Sequence, residues 1–143
     1  MFNANANSQL FDELARLETQ LATPVVPGEE TAWLGAVREA IHSVNRALRP
    51  AIEQAHAAQF AEMREEDAVM APRVESLKSD DKTNLTTSQE LAERFRALEA
   101  RYEVESNESL LNEQFENFVN DGLAFVVAVR KQETVVQTWF THV

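Results

Sequence analysis

The sequence contains no cysteine among its 143 residues. Disulfides, thiolate metal sites and cysteine nucleophiles are therefore excluded, and a reducing compartment is permitted. Glycine and proline are also scarce, with three and four residues. Phosphate-binding loops and dinucleotide fingerprints need several glycines at fixed spacing, so nucleotide-binding enzymes of those types are not expected.

Long apolar runs are missing as well. No stretch approaches the roughly 20 residues that cross a bilayer, and the opening MFNANANSQLF lacks the basic and apolar regions of a signal peptide. The net charge is −11 and is spread along the chain. Nucleic acids and anionic membranes both require clustered Lys and Arg, so neither is expected as a partner. We expect a soluble, cytoplasmic protein.

The residues that are abundant are helix formers, chiefly Ala, Glu, Leu, Gln and Arg. No stretch alternates with period two, so a sheet is not expected. A short first helix is predicted from four leucines at three- and four-residue steps, with Asn7 or Ser8 as its cap. Two prolines and a glycine within residues 23–28 end it. The leucines are Leu10, Leu14, Leu17 and Leu21.

The next two helices are predicted to be long. The second starts near residues 29–31 and passes Pro50 with a kink rather than an end. Residues 64–67 (REED) mark the break after it, and we interpret the acidic run of residues 65–67 as a solvated turn rather than a cation site. The third helix has Pro72 in its first turn. Residues 82–88, rich in Thr, Asn and Ser, leave open whether that helix is continuous.

The last helix is predicted after a polar connection over residues 103–108, with Asn107 or Ser109 as its cap. Gly122 lies on its apolar face, where glycine costs about 1 kcal/mol relative to alanine, so we expect another backbone to pass close by. The four amphipathic stretches together predict an all-α fold, an antiparallel four-helix bundle. We assign residues 1–7 to a flexible N-terminus and 8–143 to a single domain.

Three polar residues interrupt the apolar faces of the long helices: His56, Asp81 and Glu133. Imidazole and carboxylate groups from facing helices are how bundles build iron or manganese sites. Dedicated iron sites in bundles use more than three ligands, so we favour buried hydrogen bonds and ion pairs over a metal. A buried acid–histidine pair that fixes the helix register without any ligand is the third alternative.

Aromatic residues lie near predicted helix ends, at Trp33, Trp139 and Phe140. They could form an exposed patch for a protein partner. We favour the alternative that they close the ends of the bundle.

Two segments, residues 48–56 (LRPAIEQAH) and 71–81 (APRVESLKSDD), resemble bacterial hemerythrin-like proteins. In that family a helix ends in a ligand histidine, an acidic linker follows, and a proline-containing helix carries a Leu-x-x-Glu-His step. The resemblance extends loosely over residues 30–142. It implies a four-helix bundle and, in intact members, a non-heme iron centre that binds oxygen or senses redox state.

The sequence departs from that pattern at the ligand positions. Only His56 stands where a ligand histidine is expected; Asp80 and Asp81 occupy the Glu-His step, and residues 130–132 (RKQ) lie where the last helix would present another histidine. We therefore predict a non-enzymatic bundle without a cofactor, serving interaction or regulation. The alternative is a small iron- or oxygen-binding protein that uses His56, Asp81 and Glu133. A homodimer, or another protein partner, also stays open.

Overall fold

The structure is a computed structural model that describes residues 4–104 and 108–142, with side chains described over 8–104 and 113–142. The described residues form four helical runs without a strand, which confirms the all-α class. The second run contains a π-helical segment, Ala51–His56, and a short 3-10 turn, Ala68–Met70, precedes the third. The α-helices are α1 (Ala4–Ala22), α2 (Glu30–Pro50), α3 (Ala57–Glu66), α4 (Ala71–Val104) and α5 (Glu108–Thr141). None of these helices is long and apolar enough to cross a membrane.

Helix α1 begins at Ala4, before the predicted caps at Asn7 and Ser8, and is 19 residues long. Of the predicted flexible N-terminus, residues 1–3 lie outside those that the structure describes, and so does Asn107 at the other predicted cap. The loop after α1 contains Gly28, whose φ of +91° is the left-handed conformation that favours glycine. Its N–H donates to the Glu30 carboxylate, which fixes the start of α2.

The chain passes Pro50 without leaving the helical conformation. Proline has no N–H and its ring clashes with the carbonyl four residues earlier, so the α-helical ladder cannot continue unchanged. The chain responds by widening over Ala51–His56 into a π-helix. Where this segment meets α3, the N–H of Ala57 bonds to the carbonyl of Ile52, five residues back. The α-helix α2 ends at Pro50, but the second helical run continues beyond it through the π-helical segment into α3. This continuation agrees with the prediction that the chain does not leave the helix at Pro50.

The predicted break and the open question in the third helix are both settled. Helix α3 ends at Glu66, and the Asp67 carboxylate accepts a hydrogen bond from the N–H of Val69 at 3.0 Å. The acidic run is thus the exposed end of α3 followed by Asp67, whose side chain caps the 3-10 turn. Helix α4 is continuous through residues 82–88, and Asp81 is among its buried residues.

Two apolar clusters form the core. We call the larger one the large apolar cluster; it draws buried residues from α1, α2, α4 and α5, including the four predicted leucines of α1. The small apolar cluster comes from α3, α4 and α5. Its buried members are Phe60, Met63, Val74, Leu77 and Val136.

Gly122 is buried in α5, but its neighbour is not a backbone. A Cβ atom built at this position would lie 2.7 Å from Cδ1 of Leu21. The expectation of a close backbone was therefore wrong: α1 approaches through a leucine side chain, which occupies the space that a larger residue at 122 would need.

Candidate functional site

The three polar residues singled out in the sequence meet in the core. His56 ends the π-helical segment, Asp81 lies in α4, and Glu133 lies in α5. Their exposures are 1%, 3% and 1%. Asp81 follows Leu77 by four residues, about one turn of α4, so both face the core and the carboxylate lies opposite the imidazole.

Asp81 holds one side of the imidazole ring. Nδ1 of His56 lies 3.0 Å from Oδ1 and 2.9 Å from Oδ2 of Asp81. With Nδ1 protonated, the ring donates into the fork of the carboxylate. A hydrogen bond between charged groups in a buried site is strong, because little water competes for either partner.

Glu133 faces the other side of the ring. Its Oε1 lies 2.5 Å from Nε2 of His56. The line of approach does not fit a hydrogen bond, and neither oxygen of Glu133 has a hydrogen-bond partner among the described residues. We therefore treat this contact as an ion pair between the protonated ring and the carboxylate. One imidazole is thus shared by two buried acids.

Gln132 completes the group. Its side-chain amide donates to Oδ1 of Asp81 and to the carbonyl of Leu77, each at 2.9 Å. The spacing of the last helix shows Gln132 beside Glu133 on the inner face, but a glutamine alone does not indicate its partner. We call His56, Asp81, Gln132 and Glu133 the His56 cluster.

The cluster favours a protonated histidine. Burial lowers the pKa of His56, but the hydrogen bond to Asp81, the short contact with Glu133 and the negative charges of both carboxylates outweigh it and raise the pKa from 6.5 to about 9. At neutral pH the ring carries a positive charge between two carboxyl groups. The arrangement is therefore a buried ionic cluster rather than a neutral hydrogen-bonded histidine.

Other buried polar side chains were not foreseen. Gln59 and Gln137 pair through their amides at 3.3 and 3.4 Å across α3 and α5. Ser88 donates to the carbonyl of Leu85 at 2.8 Å within α4. Each is satisfied by a neighbour, as burial requires, and neither pattern is visible in the spacing of apolar residues.

The three candidate ligands His56, Asp81 and Glu133 are not arranged to bind a metal. Both ring nitrogens of His56 face carboxylates, so a metal at either nitrogen would have to displace Asp81 or Glu133 from its contact with the ring. In the part of the chain that the structure describes, no three or more His, Asp or Glu side chains are grouped to hold a metal ion. Arg130, in the segment where the resemblance would place a further histidine, pairs with Glu18 at 2.7 Å. His42 and His142 are exposed.

The aromatic residues near the helix ends differ in exposure. Trp33 is buried, and its indole N–H donates to the carbonyl of Thr23 at 2.9 Å. Trp139 and Phe140 are half-buried against the small apolar cluster. These contacts support the interpretation that the aromatic side chains close the core rather than form one exposed patch.

No family model matches this chain, and neither a curated protein nor a solved structure matches it. The resemblance to hemerythrin-like proteins therefore stays a prediction that rests on the two segments around His56 and Asp81. The geometry of the His56 cluster is the main guide to function.

Proposed function

We propose that this chain is a non-enzymatic, antiparallel four-helix bundle of hemerythrin-like type that has no working metal centre and serves interaction or regulation in the cytoplasm. Short connections support the antiparallel arrangement, because a few residues cannot return the chain to the start of the preceding helix. The connection between α1 and α2 spans residues 23–29, and the one between α3 and α4 contains a single 3-10 turn.

The observation that carries this proposal is the engagement of both ring nitrogens of His56. A histidine binds a metal through an unprotonated nitrogen. In this cluster the carboxylates stabilise the doubly protonated ring, since they raise the pKa of His56 to about 9. Metal binding would therefore have to remove a stabilised proton as well as separate an ion pair.

Burial argues against catalysis by the same side chains. A general acid or base must come within hydrogen-bond reach of the atom that gains or loses the proton. The side chains of His56 and Glu133 are each 1% exposed. A substrate in solvent therefore cannot come within hydrogen-bond reach of either one. We therefore assign the His56 cluster to holding the π-helical segment, α4 and α5 in register.

Elemental analysis of protein purified from iron-supplemented cells tests the proposal. We expect no stoichiometric iron, and no visible absorption band when ferrous iron and then air are added. Nitrogen NMR of labelled histidine provides a second readout, and we expect both ring nitrogens of His56 to be protonated at neutral pH. One bound iron per chain, or an unprotonated His56 nitrogen that shifts on adding iron, would overturn it.

The alternative is a small iron- or oxygen-binding protein that uses His56, Asp81 and Glu133, whose ligand-type side chains do converge. It requires metal uptake that depends on His56. His56→Gln is the variant to compare, because glutamine retains a donor for one carboxylate and disturbs folding less than alanine. Uptake by the wild-type protein that is lost in His56→Gln would favour this alternative, and sedimentation of the same samples reports whether a homodimer forms.

A further inference from the structure

A groove on the surface between α1, α2 and α4 is separate from the His56 cluster. Its volume is about 520 Å³, within the range of roughly 300–1,000 Å³ that is typical of small-molecule sites. Ile41 and Phe95 contribute apolar surface to its lining, and both are buried members of the large apolar cluster. The groove therefore offers a small molecule an apolar contact with a rigid part of the core.

The charge of this groove is opposite to that of the chain. Four arginines line it, against the two carboxylates of Glu39 and Glu99, so the groove has a surplus of two positive charges. The whole chain has a net charge of −11 and only 13 Lys and Arg residues. Almost a third of its basic residues thus lie around one groove. The arginines are Arg16, Arg38, Arg46 and Arg96.

Two of the four arginines are not neutralised by a carboxylate. Within the described part of the chain, the side chain of Arg46 has only a 3.4 Å hydrogen bond to Oγ of Ser43. Among the described residues, Arg96 has no ion pair or hydrogen bond from its side chain. Arg38, in contrast, holds Glu99 with a distance of 2.7 Å between Nη1 and Oε2. Arg16 likewise lies 3.8 Å from Glu39, between Nη2 and Oε2. The groove therefore already pairs both of its carboxylates and retains two guanidinium groups for another anion.

We propose that this groove binds a small organic anion, one that joins a carboxylate or phosphate group to an apolar ring or chain. Guanidinium groups bind such oxyanions through paired N–H donors, and this favours Arg46 and Arg96 as the anion contacts. The apolar part of the ligand packs on Ile41 and Phe95. None of these residues belongs to the His56 cluster, so binding here does not depend on whether that cluster holds a metal.

Titration of the nitrogen-labelled protein with phenyl phosphate, followed by NMR, tests the groove directly. We expect progressive shifts at groove residues, with weaker binding of inorganic phosphate and no saturable binding of phenol, because the site requires both the charge and the ring. Benzoate in a parallel titration shows whether carboxylate or phosphate is preferred. Phenyl phosphate that shifts no groove residue up to millimolar concentration would overturn the proposal.

A matched pair of double variants separates the groove from general electrostatics. Arg46→Gln with Arg96→Gln removes two charges from the groove, and Arg49→Gln with Arg94→Gln removes two from the same helices outside it. Arg49 and Arg94 pair instead with Glu53 and Asp121. We expect binding to weaken about tenfold or more in the first double variant and less than about twofold in the second. Equal weakening in both would show a non-specific charge effect and contradict the proposal.

Glu99 provides a test in the opposite direction. Glu99→Gln removes the carboxylate that occupies Arg38 and should tighten phenyl phosphate binding several-fold. Glu93→Gln makes the same charge change at an exposed position of α4 outside the groove lining. Tightening in Glu99→Gln that exceeds the change in Glu93→Gln supports competition for Arg38, whereas equal changes in the two variants would contradict it.

Discussion

The large apolar cluster and the region around His56 stabilise the same core by different means. Among the residues whose side chains are described, twenty buried apolar residues make up the large apolar cluster, whereas the small apolar cluster has five, none of them from α1. Beside those five lies the His56 cluster: Phe60 packs 5.8 Å from the His56 ring, between centroids, and Gln132 bonds to the carbonyl of Leu77. The large apolar cluster is thus built from apolar side chains alone, whereas the region around His56 combines a few apolar side chains with buried charge.

This difference determines how each region responds to substitution. Truncation in an apolar cluster lowers the free energy of unfolding in proportion to the volume removed. The loss is the sum of the burial free energy of the removed atoms and the cost of the cavity that they leave. A buried ionic cluster depends on every partner being present, because the remaining charge has neither water nor a counter-charge. We therefore expect graded effects in the large apolar cluster and abrupt ones around His56.

The largest effect is expected for His56→Ala. It leaves the carboxylates of Asp81 and Glu133 buried together without their cation, at a cost of about 3–5 kcal/mol. Urea denaturation at neutral pH measures the change in the free energy of unfolding. Arg49→Ala is the control, since its pair with Glu53 is about half exposed and contributes about 0–1 kcal/mol. A loss in His56→Ala no larger than in Arg49→Ala would contradict the ionic interpretation.

Leu14→Ala tests the apolar region. Leu14 is fully buried, so truncation should cost about 3 kcal/mol through lost burial and a residual cavity. Phe11→Ala on the same helix is the control, because Phe11 is 38% exposed and should lose about 1 kcal/mol or less. Similar losses at the two positions would mean that α1 is not packed as described.

The two regions should also differ in their dependence on pH. The folded pKa of His56 lies above its ordinary value, so its stabilising contribution is complete below pH 6.5 and is lost as pH rises through about 9. We expect the free energy of unfolding to fall by a few kcal/mol over that interval. Denaturation curves at several pH values measure this slope.

Two variants show where the pH dependence originates. Leu14→Ala should keep the wild-type slope, since it removes only apolar contacts. His56→Gln should lose most of the slope, because glutamine does not titrate. An unchanged slope in His56→Gln would place the titrating group elsewhere.

The smallest effect is expected for a pair of glycine substitutions. Gly35→Ala gains helix propensity of about 1 kcal/mol, and its new Cβ meets only Nη2 of Arg38 at 3.6 Å. Gly122→Ala gains the same propensity but must displace Cδ1 of Leu21. We expect Gly35→Ala to be the more stable variant, by thermal or urea denaturation. Greater stability of Gly122→Ala would mean that α1 and α5 pack less tightly than described.

Regular spacing predicted the parts of the fold that depend on one helix face at a time. Leu10 and its three partners in α1 recur at helical steps, and all four are buried. His56, Asp81 and Glu133 were expected to face inward for the same reason, and each is the exception on an otherwise apolar face. The helical period was therefore enough to identify three residues that meet in the core.

Features that depend on packing between helices were not predictable in the same way. Residues 82–88 have weak helix propensity, but burial of Asn84 and Ser88 within α4 shows that tertiary contacts outweigh it. Spacing does not reveal that Leu21 fills the space beside Gly122.

The arginine groove was also missed. Arg38, His42 and Arg46 follow at four-residue steps and are a signal in the sequence, but Arg96 comes from another helix.

The π-helical segment after Pro50 has a consequence for changes in chain length. A π turn accommodates one residue more than an α turn. Deletion of a single residue within positions 51–55, which leaves His56 in the chain, can be absorbed by a return to α-helical winding, and Phe60 and Met63 then keep their direction into the core. The same deletion in the regular part of α2 would rotate every later residue of the helical run by about 100°. This short segment is therefore the place where the second helical run can lose a residue without exposing its apolar face to solvent.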